Sequence, residues 1–163
     1  MYQFGHYGAA LLVYAPLGTV VAFGGYETAA LVGALACVAL STLPDCDHRL
    51  PLIEHRGPTH SLVFAVFVGA GLAALAALFV ETSSPFADLG FVVFAFVVGT
   101  LSIGSHLLAD VLTPMGIRPL WPFSRRHYTL EVTRAANPIA NYVLFGLGVA
   151  AVLAGVVVIA ALG

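Results

Sequence analysis

Charged residues are scarce in this 163-residue chain: only 9% of its residues are charged, while 60% are hydrophobic and the mean hydropathy is +0.99. No water-soluble domain of this length needs so much apolar surface, so the composition excludes a soluble protein. Lysine is absent, and all six basic residues are arginines. The formal net charge is −2, and we expect no nucleic-acid partner.

Cysteine and targeting signals are scarce as well. Cys37 lies inside an apolar stretch and Cys46 in the loop after it, a pair that gives no disulfide framework and predicts two unpaired thiols. The first seven residues have no basic region, and no small-residue cleavage pattern follows them. We therefore predict no removable signal peptide and expect the first helix to remain in the protein.

Long uncharged stretches predict the fold. A membrane-spanning helix needs about 20 mostly apolar residues, and five stretches carry almost no charge, at positions 7–23, 28–43, 61–80, 91–109 and 138–162. The first two have only 17 and 16 residues, so they form either short spans or a helical hairpin that does not cross the bilayer. The polar turn at 24–27 favours spans. We predict an all-α, polytopic membrane helix bundle of about five transmembrane helices, with residues 1–163 as a single integral membrane domain.

The arginines predict the orientation of these helices. Two lie between the second and third stretches and four between the fourth and fifth, whereas the other two connections contain none. With five spans, the two arginine-containing loops share one side. The positive-inside rule then places these loops and the N-terminus in the cytoplasm, and the C-terminus outside.

Small residues also recur at helical spacing, which is typical of close helix–helix contacts in membranes. The third span is expected to start at Pro58, which would leave His60 one turn inside the membrane edge. The two predicted packing stripes are Ala29, Gly33, Cys37 and Ser41 in the second stretch, and Ala65, Gly69, Ala73 and Ala77 in the third.

Polar side chains concentrate in three short segments at 45–48, 55–61 and 105–110. The predicted topology brings these segments and His6 to the same membrane face. Together they hold five of the six histidines and three carboxylates. Imidazole and carboxylate ligands suit zinc, manganese or iron better than a thiolate site does.

The spacing of these residues supports a metal site. His106 and Asp110 are four residues apart, so they project from one stripe of a helix. Asp45 and Asp47 follow a proline that ends the second helix, which frees the chain to turn both carboxylates inward. A turn at residues 57–58 can fold the preceding histidine back over the following one.

Structural explanations exist for each residue taken alone. A lone histidine is usually a packed core residue, Asp110 could accept hydrogen bonds from neighbouring helices, and Arg56 could be an ordinary interfacial anchor. However, an aspartate at mid-bilayer costs about 2.5–3.5 kcal/mol on insertion scales, and less near the interface. Several such residues close together favour a metal or proton-handling site over structural packing.

Four motifs in a fixed order are more specific than the individual residues. The chain reads LPDCDH at 43–48, HRGPTHS at 55–61, SHLLADVLTPMG at 105–116 and LWPF at 120–123. In this order the motifs resemble the YdjM-like family of membrane-bound metal-dependent hydrolases, known from a LexA-regulated bacterial member. The Gly5-His6 pair also fits the family pattern. The resemblance implies a metal-dependent hydrolase embedded in the membrane.

The site expected from the motifs and the resemblance lies at the cytoplasmic ends of the helices. It would hold a divalent metal, most readily zinc, with manganese or iron as alternatives, on His6, Asp45, Asp47, His60, His106 and Asp110. His55, Arg56 and Asp47 are the expected catalytic groups. The His106–Asp110 spacing is also similar to part of the ligand set of zinc-dependent phospholipase C enzymes, which points to a phosphoester or lipid head group as substrate. A metal or proton transporter and a non-enzymatic scaffold remain alternatives.

Overall fold

The computed structural model describes residues 1–49 and 57–162 of the chain, and within them it contains five α-helices and no β-strand. Two short 3-10 turns lie between the second and third helices, at Pro44–Arg49 and Pro58–His60. The helices are α1 (Gln3–Phe23), α2 (Glu27–Leu40), α3 (Leu62–Phe79), α4 (Pro85–Val111) and α5 (Pro138–Leu162).

All five helices are long and apolar enough to cross a membrane, as the sequence predicted. The first has 21 residues. The second has 14 residues in its α-helix and reaches 21 when the following turn is included, Glu27–Asp47. Large apolar side chains such as Phe67, Leu78 and Ile139 point outward and are more than two-thirds exposed, as expected of a surface that faces lipid.

Three helix starts differ from the sequence prediction. The first helix begins at Gln3, four residues before the predicted stretch. The fourth helix begins at Pro85, six residues before the uncharged stretch, because a proline suits a first helical turn and Asp88 complements the positive end of the helix dipole there. The third helix begins at Leu62 and not at Pro58. Ser61 has an extended backbone and accepts a hydrogen bond from the Phe64 amide, so it caps the helix after a separate 3-10 turn.

Three helices form the centre of the bundle, and one further helix packs on each side of them. The helices α1, α2 and α4 contact one another, α5 packs along α1, and α3 packs along α4. The two outer contacts are close approaches of backbone to backbone: Gly8 faces Gly148 between α1 and α5, and Gly69 faces Gly99 between α3 and α4. Small residues allow such crossings in membranes.

The predicted packing stripes are largely confirmed. Gly33, Cys37 and Ser41 are buried, while Ala29 is half-buried. The third-helix stripe is buried at its first half and becomes exposed towards Ala77. Two apolar clusters fill the bundle, one between α3 and α4, and one where α1, α2 and α4 meet.

Candidate metal centre

The C-terminal half of α4 supplies the centre of a polar cluster at one end of the bundle. His106 and Asp110 project from the same stripe of this helix, with Nε2 of His106 3.6 Å from Oδ2 of Asp110. Nδ1 of His106 lies 2.7 Å from the carbonyl oxygen of Ser41 at the end of α2. A carbonyl oxygen only accepts, so Nδ1 carries the proton and Nε2 carries a lone pair that points into the cluster.

His60 faces His106 from the 3-10 turn that precedes α3. The two Nε2 atoms are 3.1 Å apart. On the other side of the His60 ring, Nδ1 lies 3.0 Å from the Thr59 hydroxyl oxygen and 3.4 Å from Oδ2 of Asp47. His60 is thus held between the cluster and a buried carboxylate.

Asp45 approaches the same two histidines from the turn that follows α2. Its Oδ1 lies 3.6 Å from Nε2 of His60 and 3.6 Å from Nε2 of His106. Asp110 makes a matching triangle, since its Oδ2 is also 3.6 Å from each of the two nitrogens. Two triangles of potential ligand atoms therefore share the His60–His106 edge.

These separations fit a tetrahedral metal. Zinc–nitrogen bonds of about 2.0–2.1 Å set the ligand atoms of a tetrahedral site about 3.4 Å apart. The five distances within the two triangles range from 3.1 to 3.6 Å. The donor set, imidazole nitrogen and carboxylate oxygen, is also one that zinc, manganese and iron accept.

His6 completes the cluster from the first turn of α1. Its ring stacks on that of His106, with centroids 3.8 Å apart and planes 8° from parallel. Its Nε2 lies 3.0 Å from the carbonyl oxygen of Met1 and 3.8 Å from a carboxylate oxygen of both Asp45 and Asp110. Nε2 donates to that carbonyl, which leaves the lone pair on Nδ1, a buried atom without a hydrogen-bond partner in residues 1–49 and 57–162.

The cluster is almost completely removed from solvent. The side chains of His6, His60, His106 and Asp110 are at most 1% exposed, and only Asp45, at 33%, is partly accessible. The α-amino group of Met1, the first residue of the sequence, is also buried here, 2.6 Å from Oδ1 of Asp110. This contact offsets part of the negative charge of Asp110.

Burial also sets the protonation of His60, which lies outside the membrane-spanning helices. Desolvation lowers the pKa of His60, and the Asp45 carboxylate, 3.6 Å from Nε2, opposes part of that shift. The neutral form of His60 is therefore favoured, and neutral imidazole is the form that binds metals.

The structure brings five of the six predicted metal ligands into one cluster: His6, Asp45, His60, His106 and Asp110. The sixth, Asp47, is buried behind His60 and lies on the Nδ1 side of its ring. The predicted catalytic residues His55 and Arg56 lie outside the described residues. Cys37 is buried and Cys46 exposed, and both are free, as predicted.

Three supporting groups were not predicted from the sequence. The Ser41 carbonyl offers no side-chain signal, whereas Thr59 lies next to a candidate ligand in the HRGPTHS motif and could have been considered. Asn141 at the start of α5 accepts a hydrogen bond of 2.9 Å from the Tyr2 amide, which fixes the chain beside His6. The sequence signal for Asn141 is that it is a polar residue in the first turn of an otherwise apolar helix.

Together, the five apolar helices and the buried cluster define a multi-pass membrane protein with a His/Asp centre that could hold a metal ion. The chain belongs to the YdjM inner membrane protein family, whose model matches residues 1–163. It is 32% identical to the inner membrane protein YdjM of Escherichia coli K12 over 149 residues, which cover 82% of this chain and 69% of the relative. The protein of the same name from Shigella flexneri matches equally. No solved structure matches the chain.

Proposed function

We propose that this protein is a membrane-embedded metal-dependent hydrolase that acts on a phosphoester, such as a lipid head group. The observation that best supports a metal site is the distance of 3.1 Å between two imidazole nitrogens, Nε2 of His60 and Nε2 of His106. Each has its hydrogen-bonding partner on the Nδ1 side, so two lone pairs face each other. Such an arrangement is repulsive unless a cation lies between the nitrogens.

His60, His106 and Asp110 form the core of the proposed ligand set, with Asp45 on the opposite side of the histidine pair. Nε2 of His6 can join if it gives up its proton and the contact to the Met1 carbonyl. A site with three protein ligands keeps a position open for water, whereas four protein ligands usually make a closed structural site. The partial exposure of Asp45 makes it the ligand most readily exchanged for water or substrate.

A divalent metal, when bound, supplies an activated water nucleophile and stabilises negative charge on a phosphoryl oxygen. The chain would supply the remaining functions. Asp45, as the accessible carboxylate, can accept a proton from the attacking water. His55 remains the proposed general base or further ligand, and Arg56 the donor to the phosphoryl oxygen.

The position of the cluster favours a hydrolase over a transporter. A transport path needs polar groups along the whole membrane thickness. In the described residues, no histidine lies in the opposite half of a helix, and the carboxylates there, Glu27 and Asp88, lie in first helical turns. We further propose that the cluster lies on the cytoplasmic side, because the sequence places all the arginines in loops at this end.

Metal content tests the first part of the proposal. The purified protein, never exposed to chelator, should contain zinc, manganese or iron by elemental analysis. His106→Ala and Asp110→Ala should each lose it, and the double variant should resemble the single variants because the residues act together. His127→Ala is the matched control, since this exposed histidine contacts the Met115 carbonyl and not the cluster. A metal-free protein whose melting temperature does not respond to zinc or manganese would favour a scaffold.

Hydrolysis tests the second part. Lipid and water-soluble phosphoesters should be assayed in detergent and in bilayers, with vesicles assayed in parallel for metal uptake. Arg56→Ala should keep its metal but lose about 100- to 1,000-fold in turnover, the usual effect of removing a donor to a developing oxyanion. Gradient-driven uptake without hydrolysis, and without a selective effect of Arg56→Ala, would replace the hydrolase with a transporter.

A further inference from the structure

Asp47 lies close to the cluster, but it faces Nδ1 of His60 and not Nε2, the nitrogen that points into the cluster. Its Oδ2 is 3.4 Å from Nδ1 of His60, whereas Nε2 of the same ring points towards His106. The Asp47 side chain is fully buried in the turn that follows α2. A buried carboxylate in a membrane protein is costly, which calls for a function of its own.

Thr59 connects this carboxylate to the ring. Its hydroxyl donates to Oδ2 of Asp47 at 2.7 Å. Because an ionised carboxylate only accepts, that contact takes the single hydroxyl proton. The hydroxyl oxygen, 3.0 Å from Nδ1 of His60, is then left to accept, so Nδ1 must be the protonated nitrogen. The lone pair of His60 is thereby fixed on Nε2, inside the cluster.

We propose that Asp47 is a positioning residue which, through Thr59, holds His60 in the tautomer that presents Nε2 to a metal. This inference rests on the metal site proposed above and assigns Asp47 a role different from the ligand and catalytic roles expected from the sequence. His106 is held in the same tautomer by a backbone carbonyl. His60 lies in the loop between two helices and needs a side-chain relay instead.

Such outer groups matter because they orient the ligand and raise its basicity. Their removal typically lowers metal affinity by about 10- to 100-fold. Thr59→Val removes the hydroxyl with little change of shape, and Thr59→Ser restores it, which gives a matched pair. Asp47→Asn replaces a pure acceptor with a group that can also donate, so it weakens the constraint on the hydroxyl proton.

The tautomer can be read directly in metal-free protein. Ring-nitrogen NMR spectra of histidine-labelled protein distinguish protonated from unprotonated nitrogens, and His60→Gln identifies the His60 signals. The wild type and Thr59→Ser should show a protonated Nδ1. Thr59→Val and Asp47→Asn should show a mixture of tautomers. A His60 protonated on Nε2 in the wild type, or a tautomer that Thr59→Val does not change, would overturn the inference.

Zinc titration of the same proteins gives the second measurement. Thr59→Val and Asp47→Asn should each weaken zinc binding by about 10- to 100-fold, and Thr59→Ser should restore it. If Asp47 were a ligand, Asp47→Asn would lose affinity while Thr59→Val would not, and that pattern would refute the positioning role. If the wild type binds no zinc, manganese or iron, the proposed metal site fails, while the NMR spectra still decide how His60 is held.

Discussion

The crossing of α1 and α5 gives a sharp test of the packing. Gly148 lies against Gly8, and a Cβ atom at position 148 would overlap the Gly8 carbonyl oxygen and stand 3.0 Å from both its carbonyl carbon and its Cα. Ordinary van der Waals contact begins at 3.4 Å, so Gly148→Ala must push the two helices apart by roughly 0.5–1 Å. The obstacle is backbone and cannot rotate away.

The expected cost follows from two opposing effects. Overpacking a close contact typically costs about 1–3 kcal/mol. Replacing glycine with alanine inside a helix contributes about 0.5–1 kcal/mol of stabilisation. We expect a net loss of about 1–2 kcal/mol, which corresponds to a fall of about 2–8 °C in melting temperature for a chain of this size.

The assay can use the cysteines that the structure distinguishes. Cys37 is buried and Cys46 exposed, so in a Cys46→Ser background a thiol-reactive fluorophore reports unfolding through Cys37 alone. Gly146→Ala on the same helix is the control, because nothing lies within 4 Å of a Cβ at that position, and its melting temperature should stay the same or rise slightly. Equal melting temperatures for Gly148→Ala and Gly146→Ala would refute the close crossing.

Three further predictions concern topology, pH and a buried hydrogen bond. Reporter fusions in the loops 44–57 and 112–135 should be cytoplasmic and a fusion at the C-terminus external; a cytoplasmic C-terminus would contradict this orientation. Zinc affinity should fall below about pH 6 as histidines protonate. The contribution of His60 should be lost at a lower pH than that of an exposed histidine, because its pKa is lowered. A zinc affinity that calorimetry finds unchanged between pH 7 and pH 5 would argue against histidine ligands. Tyr14→Phe removes a 2.6 Å hydrogen bond to a carbonyl of α2 and should cost about 1 kcal/mol, whereas Tyr142→Phe, at an exposed position, should leave the melting temperature unchanged.

Most of the fold could be predicted from the sequence because the lipid environment leaves few alternatives. Uninterrupted apolar stretches can only be helices there, since every backbone group must be satisfied within the segment. The ends of the helices were harder to predict. The first turn of α4 contains Asp88. A search for uncharged stretches excludes this turn, although a carboxylate is favourable there.

The cluster was predictable for a related reason. His106 and Asp110 share a helical stripe by spacing alone, and the helix directions bring the other segments to the same end. The role of Asp47 could not be predicted in this way. Asp45 and Asp47 belong to one short 3-10 turn, and the geometry of that turn decides which carboxylate faces the lone-pair side of His60. Spacing in sequence does not encode that choice.

The burial of the cluster determines how quickly an ion could enter or leave it. Four of its five side chains are inaccessible, and only Asp45, on the turn that follows α2, reaches the surface. An ion held by this cluster would exchange with solvent on the side of Asp45, so its residence time would depend on local opening of that turn as well as on affinity. A brief chelator wash would then remove little metal even from a site of modest affinity, and prolonged incubation at raised temperature would be needed to empty it.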